Sequence, residues 1–125
     1  MKFFLIAGAV NALLSVAFGA FGAHLLEGRV ADKYLDTWQT AVQYQMFHAV
    51  GLMVVAILMS SSLLGPLSSL TWAGYLMLAG IIIFSGSLYV LSLSGISILG
   101  AVTPIGGVAF IVAWIMIIVA AVKGL

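Results

Sequence analysis

The residues best able to do chemistry lie where chemistry is expensive. The stretch Gln39-Thr40-Ala41-Val42-Gln43-Tyr44-Gln45-Met46-Phe47-His48 places amides, a phenol and an imidazole inside an otherwise apolar run. Polar groups in hydrocarbon are costly, so each is a functional candidate by default. At about 100° per residue on a helix, Gln39 and Gln43 share one face. Tyr44 and His48 share another, with Gln45 close beside His48. A helix polar on more than one side belongs at the centre of a bundle rather than against lipid. His48 is ten residues beyond Trp38, roughly 15 Å in, near mid-membrane.

Other polar groups fall in the same half of the bilayer: Ser85, Ser87, Tyr89 and Ser92 on a later apolar segment, and Thr103 near its surface. His24 sits at the membrane boundary, just before Glu27. The candidate ligand or partner site is therefore His24, Gln39, Gln43, Tyr44, Gln45, His48, Ser87, Tyr89 and Thr103. The plain alternative is hydrogen bonding between helices, about 0.6 kcal/mol per bond in a membrane.

The elements that position these groups follow from composition. Of 125 residues, 65% are hydrophobic and 6% charged, with a mean hydropathy of +1.34; a soluble domain has about 25% charged residues. The solvent must be lipid, and roughly 20 apolar residues make one crossing. All charges lie outside the apolar runs: Lys2, the cluster from Glu27 to Asp36, and Lys123. The expected fold is an all-α membrane protein, a single domain (1–125) of four antiparallel transmembrane helices. The spans are about 3–26, 38–60, 72–93 and 104–122. Trp38 and Trp72 are expected as interfacial anchors.

Between the first two spans, Val30, Tyr34, Leu35 and Trp38 recur at helical spacing with charges opposite. Either a short amphipathic interfacial helix, separate or running straight into the second span, or a solvated turn fits. Lys2, the apolar run after it and Ser15-Val16-Ala17 resemble a cleavable signal peptide. The run continues to Leu26, too long for a signal core, so it is read as a retained span.

Lipid supplies no hydrophobic force between helices, so small residues must let them approach. Gly8, Ala12, Ser15, Gly19 and Gly22 form a small-residue seam along the first span; Gly106, Ala109 and Ala113 repeat it on the fourth. In Thr103-Pro104-Ile105-Gly106-Gly107, Thr as N-cap and Pro at the first helical position make a standard helix start. The other reading is a broken helix whose N-terminus faces an anionic group near mid-bilayer.

Antiparallel pairing of the first two spans brings His48 level with Ser15 to Gly19 and leaves His24 about 12 Å from it in depth. One shared metal or haem is not expected, and no cofactor is. The absence of cysteine removes disulfide and thiol chemistry. A net charge of +1 without a basic cluster excludes nucleic acid as a partner. No carboxylate lies in a span, so neither a Ser-His-acid set nor a carboxylate pair can be placed, and an enzyme is not the expected reading. A minimal antiporter coupled through a membrane-embedded acid is likewise without its acid.

The chain resembles the YgdD/YwdK family of small bacterial inner-membrane proteins, whose relatives include a small eukaryotic transmembrane protein. The resemblance rests on Gly19-Ala20-Phe21-Gly22-Ala23-His24, on Trp38 through His48, on Gly86-Ser87-Leu88-Tyr89, and on Thr103 through Gly107 followed by Trp114. It covers nearly the whole chain and implies four spans and no known reaction.

The expected function is that of a structural, interaction or accessory protein of the bacterial cytoplasmic membrane. Its expected surroundings are the lipid bilayer, a membrane-protein partner and further copies of itself. The alternative is a binder or minimal transporter of a small molecule or lipid, using a polar site around His24, Gln43, Gln45 and His48. Lys2 and Lys123 share one side and Arg29 and Lys33 the other, so the positive charges tie. Both termini are assigned to the cytoplasm.

Overall fold

A computed structural model describes residues 1–125. Four helices are long and apolar enough to cross a membrane: α1 (Lys2–Leu26), α2 (Asp32–Leu58), α3 (Ser68–Ser94) and α4 (Leu99–Gly124). They run alternately up and down through short connections. Only 29 of 125 residues are buried, and the exposed remainder of the spans is dominated by Leu, Ile, Val and Phe, as a lipid-facing surface requires. Helix α2 is the most deeply buried of the four and touches the other three, matching the central place expected from its two-sided polarity.

Three helices start earlier than the apolar runs suggest, α3 by one turn, at Ser68 rather than about Trp72, and α2 and α4 by more. Helix α2 begins at Asp32, so the segment from Asp32 to Trp38 is its first two turns and no separate interfacial helix exists. Val30 and Leu35 pack against Leu26, Trp38 and Val42 and close that end of the bundle. Trp38 is not an interfacial anchor: it is 4% exposed, and its indole Nε1–H donates to the Phe18 carbonyl of α1 at 2.8 Å. Trp72 stays exposed.

Helix α4 begins at Leu99, so Thr103 is not its N-cap and Pro104 lies inside it. Pro104 is the sixth residue of the helix, past the first turn, so the Gly100 carbonyl lacks the N–H that would bond to it. The helix is unbroken, so its N-terminus lies at the Ser94–Leu99 turn and not in mid-bilayer.

Close approach sets the register. A Cβ on Gly8 would stand 2.6 Å from Met53 Cγ and 2.8 Å from the Ala49 carbonyl oxygen of α2. A Cβ on Gly106 of α4 would meet the backbone nitrogen of Phe84 on α3. Both contacts let helix backbones approach closely, the packing mode lipid favours.

Two single turns are widened to π geometry, Gly22–Leu26 at the end of α1 and Ile81–Ser85 within α3. The second lies beside Gly106. It directs Ser85 toward α2 and leaves Phe84 against α4.

The main apolar core joins Phe4 of α1, Leu52 and Val55 of α2, Leu70 and Met77 of α3, and Phe110 and Ala113 of α4. Gln45, Tyr89, Ser85 and Ser87 lie beyond one end of this core, and His48 borders it at Phe110.

Candidate functional site

Gln45 lies midway between Asp32 and Leu58 and is 4% exposed. Its carboxamide joins three helices. The Tyr89 hydroxyl of α3 donates to Gln45 Oε1 at 2.6 Å, and Gln45 Nε2 donates to Asn11 Oδ1 of α1 at 3.0 Å. Asn11 Nδ2 then donates to the Ala7 carbonyl of its own helix at 2.8 Å. Each donor in the series faces an acceptor, so the line is satisfied from end to end. Phe18 and Trp38 pack their rings on Tyr89, with centroids 5.1 and 4.6 Å away, and hold the phenol on this course.

His48 takes a different direction. Gly8 meets Ala49 and Met53, and Gly22 meets Trp38, which sets His48 nearer the first half of α1 than the Ser15–Gly19 level expected. The early start of α2 shortens the turn and shifts the pairing by about one helical turn. The imidazole also points away from the α1 seam, toward α4. Its Nδ1 lies 2.8 Å from the Tyr44 carbonyl, which can only accept, so Nδ1 carries the proton. Nε2 then accepts from the Trp114 indole N–H at 3.0 Å. The ring lies parallel to Phe110, centroids 3.5 Å apart. Both nitrogens are used in the neutral Nδ1–H tautomer, and a second proton would face the indole N–H donor to donor.

A third contact joins α3 to α4. Ser87 Oγ and Thr103 Oγ1 are 2.6 Å apart, and each also reaches a carbonyl of its own helix, Phe84 and Leu99. Ser85 Oγ donates across to the Ala41 carbonyl of α2 at 2.8 Å. No buried side-chain nitrogen or oxygen lacks a partner.

The structure thus brings Gln45 and Tyr89 together, and separately Ser87 and Thr103. His48 forms its own pair with Trp114. Gln39, Gln43 and Tyr44 lie exposed on the outer side of α2, and His24 is exposed on the last turn of α1, away from the rest. The nine residues do not converge on one site.

Two contributors escaped the sequence reading. Asn11 was passed over inside an apolar run, although it is the only amide in α1. Trp114 entered only through the family resemblance, although its N–H is a donor deep within a span and requires an acceptor.

Beside His48 the bundle surface opens. Tyr44, Phe47, His48, Phe84, Phe110 and Trp114 line an open hollow of about 350 Å³ over Gly107, between α2, α3 and α4. A second hollow, also of about 350 Å³, continues from Tyr44 and Phe47 to Gln43.

Comparison with known proteins is uniform. Residues 18–107 match a family described as protein of unknown function (DUF423). The UPF0382 membrane protein YwdK of Bacillus subtilis (strain 168) is 64% identical over 123 residues, covering 98% of both chains. The UPF0382 membrane protein SAB0533 of Staphylococcus aureus (strain bovine RF122 / ET3-1) is 49% identical over 98% of both chains, and SERP0230 of Staphylococcus epidermidis 48%. No solved structure matches this chain. Four membrane-length helices and full-length identity to these membrane proteins make the chain an integral membrane protein belonging to the UPF0382 (DUF423) family.

Proposed function

We propose that the protein is an accessory component of the bacterial cytoplasmic membrane, acting by contact with a membrane-protein partner rather than by catalysis. The observation that carries this reading is the complete internal pairing of its buried polar groups. Buried polar groups that served a substrate inside the bundle would first have to give up these bonds. Here the amides, phenol, imidazole and indole of the core are spent on one another, as in a bundle built to hold a fixed shape.

Five of the seven charged side chains lie at one end. His24, Glu27, Arg29, Asp32, Lys33 and Asp36 are all exposed around the α1–α2 turn. This mixed-charge end is the contact surface in our reading, with both termini cytoplasmic and this turn on the opposite side.

The chain has no cysteine, so single introduced cysteines report on orientation and contact together. A photo-crosslinker at Arg29 or Lys33 in living cells should give one discrete adduct, and the same group at Val16, on the outer face of α1, should give none. An adduct of twice the chain mass identifies a second copy as the neighbour; any other discrete mass identifies a different protein. Equal, diffuse labelling from both positions would refute a specific contact end. Labelling of Lys2→Cys by an impermeant thiol reagent in intact cells would reverse the orientation.

A further inference from the structure

The outer hollow of α2 differs from the rest of the lipid-facing surface in three respects. Its walls are aromatic rings, whereas the remaining outward surface is mainly aliphatic. His48 and Phe110 are buried and stack on each other at 10°, and the rings of the hollow left open or half open are Tyr44, Phe47, Phe84 and Trp114. Its rim carries the Gln43 carboxamide and the Tyr44 hydroxyl, two polar side chains that do not join the internal hydrogen bonds and that open into the hydrocarbon region. Unpaired N–H and O–H groups facing lipid are costly, and water is not there to satisfy them.

We propose that this hollow is a binding site for a neutral, planar, lipid-soluble ring compound bearing ring carbonyls, the chemistry of a quinone. Flat rings stack on the aromatic walls in offset or edge-on geometry. Gln43 N–H and Tyr44 O–H both donate, and a ring carbonyl accepts from either. The size agrees: ligand cavities run from about 300 to 1,000 Å³, and the hollow holds a ring headgroup while any attached tail extends into lipid. Charge excludes the competing classes. No Lys or Arg lines the hollow to pair an anionic head, and no Asp or Glu lines it to balance a lipophilic cation drawn to the ring faces. The π turn of α3 belongs to the same site, because it presents Phe84, and Phe84 walls the hollow against Tyr44 at a centroid distance of 4.4 Å. This inference goes beyond the accessory reading and stands or falls independently of it.

The test is titration of the full chain, carrying Trp72→Phe, in lipid nanodiscs with 2-methyl-1,4-naphthoquinone, reading quenching of Trp114 beside the buried Trp38. The expected result is saturable quenching, with half-saturation raised about five-fold by Tyr44→Phe or Gln43→Leu, the effect of one lost hydrogen bond. Gln39→Leu, on the same helix but outside the hollow, should leave it unchanged. Phe47→Ala, at an exposed position, tests the wall by a change that leaves the buried core intact, and should also weaken binding. Quenching that rises linearly and equally in all variants is partition into lipid alone and overturns the site. Saturation indifferent to Tyr44, Gln43 and Phe47 places the ligand elsewhere, and displacement of the quinone by tetraphenylphosphonium would show a site for cations instead.

Discussion

One helix presents the same chemistry to two different surroundings. On the inner side of α2, Gln45 is held by Tyr89 and Asn11, and His48 by Trp114. On its outer side, Gln43 and Tyr44 line an open hollow and Gln39 faces outward above them. Gln43 and Gln45 are two residues apart, so they point about 160–200° away from each other on a helix. An amide is costly in hydrocarbon in both places. Inside, three helices remove the cost; outside, it persists until something from the membrane removes it. The comparison teaches that polarity within a span marks function only after the internal partners have been subtracted.

The largest expected effect tests the inner side. Gln45→Leu removes two hydrogen bonds and leaves the Tyr89 hydroxyl and the Asn11 carboxamide facing an apolar surface. The expected loss of stability is about 2 kcal/mol, combining modest membrane hydrogen bonds with the cost of stranded partners. Reversible unfolding in mixed micelles measures it. Adding Asn11→Leu should cost less than the sum of the two single changes, because the amide it removes is already stranded. If Gln45→Leu and Gln43→Leu cost the same, the distinction between the two sides of α2 is gone.

The His48–Trp114 pair comes next. A double-mutant cycle with His48→Leu and Trp114→Phe should return a coupling of about 1 kcal/mol, one neutral hydrogen bond plus ring contact. Coupling near zero would mean that the indole N–H finds another acceptor, and the tautomer assigned to His48 would lose its basis.

Ser87→Ala should cost less still, about 0.5 kcal/mol. Thr103 loses its partner on α3 but keeps the Leu99 carbonyl of its own helix, so no group is stranded. A cost matching that of Gln45→Leu would show that the α3–α4 seam, not the three-helix line, holds the bundle.

Much of the fold was legible because charge and hydropathy act over whole segments. Lys2, the Glu27–Asp36 cluster and Lys123 cannot enter hydrocarbon, and the apolar runs between them are long enough to cross. Helix starts were less legible. Asp32 opens α2 as an exposed acid at a helix N-terminus, where the helix dipole favours it, yet its charge reads as loop. Pro104 reads as a first helical residue, but Leu99 through Thr103 wind the turn before it.

The polar pairing was the least legible part. Gln39, Gln43 and Gln45 are chemically identical, and their fates depend on one helix's rotation against three neighbours. Register decides that, and register was misjudged because Trp38 was given to the interface. Its indole instead reaches the Phe18 carbonyl, which pulls α2 deeper along α1. A π turn shifts register by one residue and leaves no composition signal, so the placement of Phe84 was beyond reach of the sequence.

The smallest stability effect is the most informative. Gln43→Leu should change unfolding free energy by no more than about 0.5 kcal/mol, the range of surface substitutions, and its sign should favour the variant. The amide has no partner inside the protein, and leucine is the more comfortable neighbour for lipid chains. The same substitution should weaken naphthoquinone binding. Stability and binding then move in opposite directions at one residue, which packing alone cannot produce. A Gln43 retained only for structure would lose stability when replaced; one retained for a ligand gives it up while the site is empty and recovers it on binding. A clear destabilisation by Gln43→Leu in empty nanodiscs would therefore return the outer side of α2 to ordinary packing and erase the contrast with Gln45.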